Sequence, residues 1–138
     1  MAETLATLRF PARTDQLGAL REQIRDVLEQ QNCQEKCIDE SVLAVNEACM
    51  NIIQHGYEKH QLEGDVVLDI FTEDDWLIFR LTDFAPTVDI SKCKSRELDD
   101  IRPGGLGLHF IQSLMDDHQF LAPPDGIGNI LELRKHRR

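Results

Sequence analysis

The chain has 138 residues, enough for one domain with a core of its own. Its apolar share of 41% and charged share of 29% are ordinary for a globular protein, and no apolar run reaches the roughly 18 residues of a membrane-spanning helix. The net charge of -10 argues against nucleic acid as a partner, because phosphate backbones call for clustered Lys and Arg. In chain order, alternation over Thr4 to Phe10 predicts an edge strand ended by Pro11. Thr14 or Asp15 is placed to cap a helix that carries Leu17, Leu20, Ile24, Val27 and Leu28 at helical spacing. Asn32 and Gln34 mark a break. A second helix then runs from about Glu35 to Ile53 or beyond, with Ile38, Val42, Val45, Cys49 and Ile52 as its apolar stripe. Gly56 is expected to end it, and the polar stretch from Glu58 to Asp65 reads as a loop.

Val66 to Phe71 and Trp76 to Leu81 read as two strands joined by the acidic turn Glu73-Asp74-Asp75. From Phe84 to Pro103 the pattern disappears, and so long a loop in a compact domain is usually a functional lid or disordered. Gly104-Gly105-Leu106-Gly107 opens a third helix carrying Leu108, Ile111, Leu114 and Met115. The chain closes with strands at His118 to Leu121 and Asn129 to Leu133 around the turn Pro123-Pro124-Asp125-Gly126. The basic run from Arg134 to Arg138 reads as a frayed, solvated tail. This order predicts a single α+β domain over residues 1–138, a two-layer sandwich with helices on one face of a largely antiparallel, mixed sheet. Repeated βαβ units are missing, which argues against a doubly wound fold.

The N-terminus is not basic and precedes no apolar segment, so no secretory signal is expected and the protein should be cytoplasmic. Cys33, Cys37, Cys49 and Cys93 are then expected as reduced thiols. Cys33 and Cys37 lack the second ligand pair of a zinc site, and Cys49 falls on the apolar side of its helix.

Three features could carry chemistry. Glu47, Asn51 and His55 are spaced four apart and form one helical ridge, nearly opposite the apolar stripe. Such a ridge is also what any solvated helix face shows. Asp83, at the end of an apolar strand, can accept a hydrogen bond from an exocyclic amine or cap a turn. Pro103-Gly104-Gly105-Leu106-Gly107 runs straight into a helix, where close backbone approach and free N–H groups suit a phosphate; a flexible hinge would look the same. No Gly-Lys-Ser/Thr follows, so this is not a P-loop, and no strand leads into it as a dinucleotide fingerprint requires.

Taken in order, the segment from Asn46 to Tyr57 resembles the N box of the GHKL (Bergerat-fold) ATPases, in the version found in small anti-sigma serine/threonine kinases of the RsbW and SpoIIAB type. Asp83-Phe84-Ala85-Pro86 takes the place of the G1 box, Gly104-Gly105-Leu106-Gly107-Leu108 resembles the G2 region, and Gly128 to Leu133 looks like the closing strand. The resemblance implies ATP and Mg²⁺ as cofactors, with Glu47 as general base and Asn51 as the Mg²⁺ ligand. It implies a nucleotide site formed by Asn51, His55, Asp83, Ala85, Gly104, Gly105, Leu106, Gly107 and Leu108, with Asp83 accepting the adenine amine. The loop over about 90–104 would be the ATP lid. Its relatives phosphorylate a STAS-domain antagonist, often also bind a sigma factor, and include dimers. A sequestering module without catalysis is the alternative, because Ala85 stands where the G1 box usually has glycine. A methyl group there strains the backbone only if φ is positive. Arg21 and Arg25, four apart on the first helix, could meet an acidic partner surface or be ordinary solvated charges.

Overall fold

The computed structural model describes residues 2–86, 106–124 and 128–137, with side chains left out of the description at 106–108. Strands β1 (Ala2–Pro11), β2 (Asp65–Glu73), β3 (Trp76–Asp83), β4 (Asp117–Leu121) and β5 (Asn129–His136) form one sheet in the order β1-β2-β3-β5-β4. Every pairing among the described strands is antiparallel, so no parallel pair gives the sheet the mixed character expected from sequence. Period-two alternation explains the inner face: Val66, Leu68 and Ile70 of β2 are buried, with Leu77, Phe79 and Leu81 of β3 beside them. Glu73 pairs with Trp76 across the two-residue turn Asp74-Asp75, and Asp74 takes the left-handed conformation (φ 56) that aspartate tolerates. β1 lies at the edge, its register slipping between Thr4 and Ala6.

Helices α1 (Leu17–Gln30), α2 (Glu35–Asn51) and α3 (Leu106–Leu114) cover the inner face, with α2 packed between the other two. Leu17, Leu20, Ile24 and Leu28 of α1 are buried at the expected spacing. No side chain caps α1: Thr14 and Asp15 fall in a preceding 3-10 turn (Thr14–Gln16), and Asp15 is taken by the Arg13 guanidinium at 3.0 Å. Asn32 turns the chain between α1 and α2 in the left-handed conformation, φ 58. Cys33, Cys37 and Cys49 are free thiols, and Cys49 is fully buried, which drives its pKa up.

Over its described residues, 134–137, the basic C-terminal run is not a frayed tail. Arg134, Lys135 and His136 belong to β5 and pair with Ile78, Leu77 and Trp76. Alternation points Lys135 inward, where its ammonium donates to the Leu114 carbonyl at 2.6 Å and meets Glu40 at 3.4 Å. A cation is favoured there because the last carbonyls of α3 lack helical partners. Arg134 instead faces outward over the Trp76 ring, 4.9 Å from its centroid.

Candidate active site

The ridge proposed for α2 does not stop at Gly56. Beyond Asn51 the helix widens into a π-helical turn (Ile52–Tyr57) and then a 3-10 turn (Glu58–His60), which Gln61 ends in the left-handed conformation. The widened turn changes which residues face the core. Ile53 and Tyr57 are buried in line with Cys49, whereas Ile52, expected in the apolar stripe, is half-buried on a cavity wall. Helices widened in this way recur at functional sites.

That cavity, of about 250 Å³, lies between α2, its widened end, α3 and the sheet. Asn51, Ile52, His55, Gly56, Lys59 and His60 form one wall; Asp83 of β3, Asn129 and Leu131 of β5 and Ile111 of α3 complete it. A wider, shallower concavity on the outer face of the sheet is a weaker candidate, because its charges already satisfy one another. There Arg80 donates to Glu132 at 2.8 Å and Thr7 to Asp69 at 2.8 Å.

Asp83 is almost wholly buried, and its carboxylate accepts from the Ala85 amide at 3.0 Å and the Asn129 side chain at 3.0 Å. Burial raises its pKa above the ordinary carboxylate range, and those two donors pull the other way. The Asn129 amide also reaches the Pro86 carbonyl at 3.1 Å, bracing the segment after β3. Asn51 is buried as well, and its Nδ2 has no hydrogen-bond partner among the described residues. An orphaned buried amide costs about 1–3 kcal/mol. Placed on a cavity wall, it is a group suited to a polar ligand.

Of the other residues singled out from sequence, His55 lines the cavity, and Glu47 stands one helical turn before Asn51, half-exposed and off the cavity wall. Ala85 does not line the cavity. It is buried beside Gly56, where a β-carbon would lie 3.1 Å from the Ala85 methyl, and its φ is not positive, so the methyl carries no backbone strain. Gly104, Gly105 and the lid over 90–104 lie outside the described residues; Leu106, Gly107 and Leu108 form the first turn of α3. Among the described residues no three His, Cys, Asp or Glu side chains gather as a metal cage. One carboxamide on a cavity wall fits an ion such as Mg²⁺, which takes few protein ligands and keeps phosphate oxygens and water.

Residues 10–135 match the profile of the histidine kinase-like ATPase domain. The chain belongs to that family. Within it, the chain stands with the serine-protein kinases of the RsbW type. It is 30% identical to serine-protein kinase RsbW of Staphylococcus epidermidis over 118 residues, 80% of this chain and 74% of the relative. It is 29% identical to RsbW of Bacillus pumilus (strain SAFR-032) over 128 residues, covering 86% and 78%. Among solved structures, the SiaB-SiaC complex from Pseudomonas aeruginosa contains a chain of the same fold, with TM-score 0.67 and 15% identity over 96% of this chain and 88% of that one. Family membership makes ATP the nucleotide this domain uses.

Compared with the RsbW-type motifs, the cavity adds residues that sequence reasoning missed. Lys59 continues the four-residue series Glu47, Asn51, His55, a signal hidden by ending the helix at Gly56. His60 and Asn129 had no local signal. Gly128 matters through close approach. Its φ is 82, and a β-carbon would lie 2.0 Å from the Asp83 carbonyl oxygen. Gly128→Ala is therefore expected to cost about 2–3 kcal/mol of stability, read as a lower urea midpoint with an unchanged m value.

Proposed function

We propose that this protein is an ATP- and Mg²⁺-dependent serine/threonine-protein kinase that acts as an anti-sigma factor in partner switching and phosphorylates a STAS-domain antagonist. The observation that carries this reading is the meeting of the unpartnered Asn51 amide and the buried Asp83 carboxylate in one cavity, one helical turn from Glu47. In this reading Asp83 accepts the adenine amine, while Lys59 supplies local positive charge to an otherwise acidic chain. Asn51 would hold Mg²⁺ through its side-chain oxygen, and a bound ion would supply charge neutralisation for the phosphates. Glu47 takes the proton from the attacking serine or threonine hydroxyl as its oxygen bonds to the γ-phosphorus and the bond to the β-phosphate oxygen breaks. Positioning and charge neutralisation carry most of the rate.

The partner reading is supported by the resemblance to RsbW kinases and by the fold shared with a chain solved in complex with a second protein. A cytoplasmic location belongs to the same proposal; no helix among the described residues is long and apolar enough to cross a membrane. On the α1 face, Arg25 is held by Glu35 and Asp39 at 3.0 and 2.7 Å, and Arg21 donates to Asn46 at 2.9 Å, beside Glu47. Arg21 is therefore the better placed of the two to link an acidic partner surface to the catalytic ridge. The sequestering alternative rested on Ala85 and loses that support, because Ala85 sits without strain outside the cavity wall.

The test mixes the protein, its candidate STAS partner, ATP and Mg²⁺, and looks for phosphoserine or phosphothreonine by mass spectrometry. Stoichiometric label on the partner is the expected result. Nucleotide binding with stable partner capture and no label would overturn the kinase reading in favour of sequestration. A first check is the melting temperature with Mg-ATP, which must rise for a ligand of the native state.

A further inference from the structure

Tyr57 ends the π-helical turn and points its ring into the core, where it is 2% exposed. Its hydroxyl makes two short hydrogen bonds to the chain at the ends of two different strands. It donates to the Asp65 carbonyl at 2.7 Å, where β2 begins, and accepts from the Phe84 amide at 2.8 Å, where β3 has just ended. The β2–β3 ladder stops at the pair Val66–Asp83, so the Phe84 amide is the first beyond it and relies on a side chain instead. Burial raises the Tyr57 pKa, so the phenol stays protonated and can serve both bonds at once.

The surroundings are shaped to this ring. Gly64 lies so close that a β-carbon there would come within 2.7 Å of Tyr57 Cε1. Gly56, the residue before Tyr57, packs against Ala85, two residues after Asp83: a β-carbon there would lie 3.1 Å from the Ala85 methyl. The peptide that follows Asp83 is thus held by the Tyr57 hydroxyl, and its carboxylate by the Ala85 amide and Asn129. One end of the cavity's helical wall is in this way bolted to the residue that reads the base.

We propose that Tyr57 is a positioning residue for base recognition: through the Phe84 amide it fixes the direction of the Asp83 carboxylate, and so sets the preference for a 6-amino purine over a 6-oxo purine. The inference rests on the reading that Asp83 accepts the adenine amine. Only a carboxylate held in line with that amine separates the two bases, because the 6-oxo purine presents an acceptor in its place. A tyrosine that merely filled space would stabilise the fold and leave this preference alone.

The experiment measures ADP and IDP dissociation constants by calorimetry for the wild-type protein and for Tyr57→Phe, which removes one oxygen and keeps the ring. The wild type should prefer ADP, and Tyr57→Phe should lose on the order of tenfold of that preference, as expected when a part-buried amide loses its hydrogen-bond partner. Leu28→Ala, a core truncation in α1 away from the cavity, is the control: it should lower the melting temperature and keep the ratio. A Tyr57→Phe protein that melts lower but keeps the wild-type ratio overturns the proposal and leaves Tyr57 as a strut. An ADP-to-IDP ratio near one in the wild type overturns the assignment of Asp83 itself, and this inference with it. A reading without any variant comes from amide exchange. The Phe84 amide should be protected in the wild type, and fast exchange there would also overturn the proposal.

Discussion

Glu47→Ala is expected to lower phosphoryl transfer to the partner by about 10²- to 10⁴-fold while leaving nucleotide binding in place. The split follows from geometry. Asn51 and Asp83 share the cavity, whereas Glu47 stands one turn along the helix, half-exposed and with no ion pair among the described residues. Removing it takes away a proton acceptor and not a wall of the pocket. The measurement is phosphoserine formed per unit time, set beside the rise in melting temperature on adding Mg-ATP. Glu47→Gln, close to isosteric, should behave the same way. Full activity in the Gln variant would remove Glu47 from the role of base and direct the search to another acceptor.

Asp83→Asn is expected to weaken ATP binding by about 10²- to 10³-fold and, at neutral pH, to raise the melting temperature of the nucleotide-free protein. The two effects have one origin. Asparagine keeps an oxygen for the Ala85 amide and Asn129, but its amide meets the adenine amine donor to donor. It also removes a carboxylate whose pKa burial has raised. A carboxyl with a raised folded pKa contributes stability that is fully present below its unfolded pKa and lost as pH rises through the folded one. The stability gap between Asp83→Asn and the wild type should therefore be widest near neutrality and close as the pH falls through the folded pKa of Asp83. ATP affinity of the wild type should decline over the same window. Denaturant melts and calorimetry across that range check both. A wild type stabilised relative to Asp83→Asn at pH 7 would mean that the charge is held by more than the two donors seen.

Much of this was legible in the residues themselves, because the signals are local. Strands β2 and β3 show as alternation and α1 as helical spacing, since one buried face forces a period. The four-spaced ridge through Asn51 and His55, and an aspartate ending an apolar strand, likewise sit within single elements. Motif order along the chain pointed to the family, and the domain match over residues 10–135 agrees with that family.

What folding alone settled involves residues distant in sequence or turns without a helical period. The widening at Ile52–Tyr57 cannot be read from an α-helical repeat; it moved Ile52 to the cavity, buried Ile53 and Tyr57, and carried the wall on to Lys59 and His60. The same holds for the basic run, where strand pairing with β3 turned Lys135 inward to the end of α3. Asn129 holds Asp83 across a separation of 46 residues, and Tyr57 holds Phe84 across 27. Such bonds exist only once β5 and the helix end have closed on β3. No pattern within either segment encodes them, because a hydrogen bond depends on where two side chains meet, whereas a repeat reports only which way each one faces.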